Sequence, residues 1–161
     1  MPKLDLSKVP VKTGSGYPGS LAAKVGARTQ QRVGEAGGLT QFGANIVVLP
    51  AGALSSLRHW HEEQDEALIV LSGTLTLVDD TGETPLKAGD VCTFPAGEAN
   101  GHQIVNHSDT DGSFFVVGTH TKAETAWYSD LDMKISTQNG KGDFTRKDGS
   151  KLDLTSLEDT K

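Results

Sequence analysis

Short apolar runs separated by turn residues fill the middle of the chain. Ala44–Leu49 is an apolar, β-branched run closed by Pro50, the pattern of a strand entering a turn. Leu57–His61 and Glu66–Leu71 predict two more strands. Ser72-Gly73 makes a tight connection into Thr74–Val78, where Thr74 and Thr76 alternate with Leu75 and Leu77, the period of a half-buried strand. Asp79-Asp80-Thr81-Gly82 and Lys87-Ala88-Gly89-Asp90 have the composition of turns. Val91–Pro95, His102–Asn106 and Phe114–Thr119 complete the strand set. Turn signals at a spacing of roughly 8–12 residues predict an all-β sandwich or barrel.

The flanks are less regular. Residues 1–38 carry Pro10, Pro18 and several glycines without a sustained period. They are expected to form an N-terminal arm laid along the domain, with a helical turn near Leu21–Val25. After Lys122 the chain turns polar; Trp127-Tyr128 and Met133–Ile135 predict a short outer strand. Thr145–Lys161 is charged and expected to be partly disordered. No internal repeat is present, so one domain is expected over 1–161: the arm (1–38), a β-barrel core (39–122) and a C-terminal extension (123–161).

Charge and composition remove several function classes. The 161 residues hold 15 Lys and Arg against 21 Asp and Glu, a net charge of −6. An acidic chain without a basic run is a poor match to nucleic acid or to an anionic membrane surface. No window reaches the ~18 apolar residues of a membrane span. The N-terminal MPKLDLSKVP lacks the apolar stretch of a signal peptide, so a cytoplasmic location is expected. Cys92 is the single cysteine and lies in the apolar run 91–94, where a small buried hydrophobe is expected rather than a nucleophile. Gly14-Ser15-Gly16 lacks the following helix and Lys of a phosphate-cradling loop.

The candidate chemistry lies in Arg58-His59-Trp60-His61-Glu62-Glu63-Gln64-Asp65-Glu66. Residues two apart on a strand share a face, so His59 and His61 project together and Trp60 points the other way. Four residues later Glu66 opens a strand whose Leu68 and Val70 share its face. A carboxylate among inward apolar side chains is costly unless paired. A divalent cation beside the two imidazoles resolves that cost, since His nitrogen and carboxylate oxygen both suit a borderline metal. Glu62, Glu63 and Asp65 are expected in a solvated loop at the mouth. Arg58 and Trp60 are expected on the outer face, and His120 is a candidate acid or base.

Two motifs carry a resemblance to a known family. Gly52, six residues, His59-Trp60-His61, four residues, Glu66, six residues and Gly73 resembles the first cupin motif. Gly89, five residues, Pro95-Ala96-Gly97, then His102, three residues and Asn106 resembles the second. The loops before His59 and between Gly97 and His102 are longer than the family pattern. His102, which keeps its spacing to Asn106, is preferred over His107 as the matching histidine.

The resemblance implies an all-β double-stranded β-helix, or jelly-roll barrel, with one divalent transition metal (Mn, Fe, Ni, Zn or Cu) held in its mouth by His59, His61, Glu66 and His102. The whole chain is similar to small bacterial cupins often described as sugar-phosphate-isomerase-like, a description that rests on fold analogy. It implies a metal-dependent isomerase or lyase acting on a small polar, sugar-like metabolite. An iron or copper dioxygenase and a non-enzymatic module that binds or senses a small ligand are the alternatives. Cupin barrels commonly dimerise, and Ala67–Leu71 is apolar on both faces, so a homodimer is expected.

Overall fold

The computed structural model describes residues 3–154. Three antiparallel sheets organise the chain. The six-stranded sheet contains β1 (Val11–Thr13), β2 (Thr29–Gln31), β3 (Phe42–Leu49), β10 (Gly112–Thr119), β5 (Glu66–Ser72) and β8 (Val91–Phe94), in that spatial order. The four-stranded sheet runs β13 (Lys141–Thr145), β12 (Met133–Gln138), β11 (Ala123–Tyr128), β4 (His59–His61). The three-stranded sheet runs β7 (Gly82–Lys87), β6 (Thr74–Asp79), β9 (Gln103–Val105).

The strands predicted between Ala44 and Thr119 are all present, most with ends shifted by a residue or two. The β7 hairpin partner was not anticipated. The arm is more than a strap: β2 pairs with β3, Gln30 opposite Val47, and β1 pairs with β2. The helical turn appears as α1 (Leu21–Lys24), and α2 (Val33–Ala36) follows β2. The single outer strand expected after Lys122 is three strands, β11 to β13.

Period-2 alternation sorts the large sheet into two faces. Val47 lies opposite Phe114, which lies opposite Val70; Asn45, Val116 and Leu68 form the next row, and Gly43, Gly118 and Glu66 the next. Val47, Leu68, Val70, Phe114 and Val116 of these rows join Leu49, Leu75, Leu86 and Ile104 in the main core. Cys92 packs against that core, and burial raises its thiol pKa, as suits a hydrophobe rather than a nucleophile. A second core gathers Leu21, Tyr128 and Met133 with Tyr17, Leu57, Phe144, Leu152 and Leu154 around them.

That second core holds residues 145–154 of the tail expected to be partly disordered. Thr145 bridges to Lys151, Arg146 and Ser150 close a turn, and Leu152 and Leu154 bury apolar surface against α1 and β12. Residues 155–161 of the expected disordered tail lie outside the described residues. Asn106, the last residue of the second motif, is fully buried. Its amide donates to the Leu49 and Thr110 carbonyls, and its oxygen accepts from Ser108. It therefore ties the end of β9 to β3 and to the loop entering β10.

Candidate metal centre

His59 and His61 sit on β4, between the β11 ladder and His102. The register places Tyr128 opposite His59 and Ala126 opposite His61. On its other side His59 exchanges both backbone hydrogen bonds with His102. Glu66 enters from the first position of β5, between Gly118 and Phe94. Two sheets thus deliver imidazoles and a carboxylate to one place.

Among the described residues His59, His61 and Glu66 form a group whose ligand-type atoms all lie within 4.8 Å of one another, enough to hold a metal ion. The His59 and His61 rings meet edge-on at 4.9 Å between centroids. His102 joins this cluster through its neighbours: its ring lies 5.1 Å from that of His59, and its Nε2 donates to Glu66 Oε2 at 3.0 Å. The same ring stacks flat on Phe94. His107 is elsewhere, exposed and 3.7 Å from Glu83.

Local hydrogen bonds set the state of each group. His59 Nδ1 donates to the Leu57 carbonyl at 2.9 Å, which leaves the Nε2 lone pair free. Burial, with His61 and His102 close by, lowers the His59 pKa to about 3, so this imidazole is neutral at physiological pH. Burial alone would raise the Glu66 carboxyl. The hydrogen bond from His102 and the electrostatic influence of His59, His102 and His61 outweigh it and leave Glu66 below its usual value. An ionised Glu66 beside a neutral His59 is the protonation state a cation requires.

The buried Nδ1 atoms of His61 and His102 have no hydrogen-bond partner among the described residues. Glu124 lies near the first of these, its Oε1 3.5 Å from His61 Nδ1. Its carboxylate is 8 % exposed and accepts from the backbone N–H groups of Glu62 and Glu63. It anchors the loop between β4 and β5 while standing behind His61, where an outer carboxylate orients a ligating imidazole. The only sequence signal for Glu124 was its place on the inward phase of Glu124-Thr125-Ala126-Trp127-Tyr128, visible once β11 is known to be a strand.

The remaining candidates lie around this centre. Glu62, Glu63 and Asp65 are exposed at the loop. Arg58 is bonded to Asp80 and Asp130, linking the β6–β7 and β11–β12 turns. Trp60 stacks on Trp127. His120 donates from Nδ1 to the Thr40 carbonyl and hydrogen-bonds none of the four predicted ligands.

A sandwich of antiparallel sheets with converging imidazoles and a carboxylate defines a β-barrel protein with an internal polar centre. Comparison with known proteins gives the family. The model of the cupin domain matches residues 45–118. A crystal structure of a sugar phosphate isomerase from a cupin superfamily, from Silicibacter pomeroyi DSS-3, is 52% identical and covers 97% of this chain and 99% of that one, with a TM-score of 0.95. The chain belongs to the cupin superfamily.

Two further matches come from Thermotoga maritima. A predicted oxalate decarboxylase shares the fold, with 24% identity, coverage of 74% of this chain and 99% of that one, and a TM-score of 0.57. An oxalate-binding protein is 39% identical over 69 residues, 43% of this chain and 54% of the relative. The chain thus matches about half the length of that curated relative.

Proposed function

We propose that the protein holds one divalent transition metal through His59, His61, Glu66 and His102. With it the protein acts on a small polar, sugar-like metabolite as an isomerase or lyase. The observation that carries this reading is the convergence of ligand atoms from His59, His61 and Glu66 within 4.8 Å. The orphaned Nδ1 atoms of His61 and His102 and the neutral state of His59 support it. Its resemblance to the Silicibacter protein, which is named as a sugar phosphate isomerase, supports the reaction class.

A divalent ion so bound would polarise a substrate carbonyl or an enediolate. The chain's own part is to present imidazole nitrogens at His59 and His61, the first of them neutral, and one negative charge at Glu66. His102, now bonded to Glu66, would be the fourth residue to hold the ion. Phe94 and Tyr128 shield the rings of His102 and His59 from solvent. The oxalate-binding relative favours a second reading, a module that binds a small ligand without turnover. We also propose that the outer face of β5 forms a homodimer interface.

The test is elemental analysis of protein purified without chelator or affinity nickel. About one metal per chain is expected. The His59→Ala, His61→Ala double variant should lose it with its circular dichroism unchanged, and His102→Ala should lose it while His107→Ala keeps it. Normal metal content in the double variant would sink the assignment.

A further inference from the structure

Two cavities meet at Arg28. The inner one, about 240 Å³, lies against the metal centre and is bordered by His59, Glu66 and His102. The outer one, about 660 Å³, reaches Arg32 and His120. Arg28, Gln30 and Asn45 line both, so they stand where the two adjoin.

Arg28 reaches this place from the arm. Its Nε and Nη1 donate to the carbonyls of Gly14 and Ser55, and among the described residues no carboxylate forms an ion pair with it. A guanidinium stays charged in a protein, and a half-buried cation without a counter-ion is costly. Glu66 is the sole carboxylate lining the inner cavity. A divalent ion there would more than offset Glu66, and Arg28 would add to the excess of positive charge. The half-buried amides of Gln30 and Asn45 line the same space and make no hydrogen bond to another described residue. The inner cavity is much the smaller of the two, so the space beside the metal centre suits a small ligand.

We infer that the inner cavity binds a small carboxylate with an adjacent oxygen, a 2-oxo or 2-hydroxy acid or a short dicarboxylate, held by Arg28 at one end and by the metal centre at the other. The inference rests on the metal reading above. A carboxylate suits the donors left on the Arg28 guanidinium, whose Nη2 makes no hydrogen bond to another described residue. A phosphate ester fits less well, because the other cation of the outer cavity, Arg32, is already placed on Glu35.

Isothermal titration of metal-assayed protein with pyruvate, oxalate, dihydroxyacetone and dihydroxyacetone phosphate tests this. Pyruvate and oxalate should bind at least tenfold more tightly than dihydroxyacetone. Arg28→Gln should lose that preference at unchanged metal content, and Arg28→Lys should keep part of it. Arg28 also braces the arm, so Asn45→Asp serves as a second variant: it leaves the brace and adds a negative charge, and it too should abolish carboxylate binding. Equal carboxylate affinity in wild type and both variants would overturn the inference, as would tighter binding of dihydroxyacetone phosphate than of pyruvate, or no binding of either acid to metal-loaded protein. Metal-free wild type would instead overturn the metal reading, and the ratio between wild type and Arg28→Gln would still decide the role of Arg28.

Discussion

His59 illustrates how far surroundings alter a side chain. In the unfolded chain its imidazole titrates near 6.5; in the folded protein burial and its imidazole neighbours hold it neutral down to about 3. Between those values the unfolded state binds the extra proton, so stability is complete above pH 6.5 and falls as pH drops below it. Glu66 adds to the same trend: its folded pKa is depressed, so its contribution is present above 4.5 and lost on further acidification. For chelator-treated protein, melting temperature is expected to be flat from pH 8 to about 7 and then to fall. The slope for His59 alone is up to about 1.4 kcal/mol per pH unit. A His59→Phe variant should show a shallower slope between pH 6.5 and 4.5; an unchanged slope would remove His59 as the cause.

His59, His61 and Glu66 were legible in the sequence because strand alternation and one loop length suffice to bring them together. Arg28 and Glu124 were not legible. Arg28 lies in a segment without periodicity, and Glu124 meets His61 only through the pairing of β11 with β4. Both reach the centre by long-range pairing, which spacing along the chain does not encode.

Among the elements, those built on apolar, β-branched runs were readable, and those poor in such residues, β1, β7 and β13, were not. β3, β5, β6 and β10 carry such runs and supply most of the main core. β7 contains Gly82 and Pro85 and buries only Leu86, so its sequence has the look of a turn. Proline is tolerated there because β7 is an edge strand with one ladder partner. The β5–β6 connection carries a sharper constraint. Gly73 has φ +75°, and a Cβ there would stand 2.8 Å from the Asp111 carbonyl oxygen and 2.8 Å from the Gly112 Cα, both backbone atoms. Gly73→Ala is therefore expected to destabilise the protein by more than about 1 kcal/mol, read as a lower urea midpoint with unchanged slope. A midpoint equal to wild type would show that the connection can relax.

For the whole molecule, the outer face of the large sheet presents a band of apolar side chains. Its rows place Val91, Ile69, Phe115 and Ile46 side by side across four strands. Val91 is 63 % exposed, Leu71 47 % and Ile69 37 %. Exposed apolar side chains in one contiguous band mark interaction surfaces. Sedimentation equilibrium is expected to give a dimer, and Ile69→Glu a monomer with intact circular dichroism. A monomeric wild type at micromolar concentration would end the dimer proposal.

The chain has two tryptophans, and they are the pair on the reverse of the metal centre: Trp60 stacks on Trp127 at 6.1 Å, the Trp127 indole N–H donates to Glu62, and Lys134 lies over its ring. All indole absorption and emission therefore originates from one spot on the β4–β11 ladder. Two nearly parallel chromophores this close couple their transitions, so the near-ultraviolet circular dichroism and the intrinsic fluorescence are an internal optical gauge of the segment that carries His59 and His61.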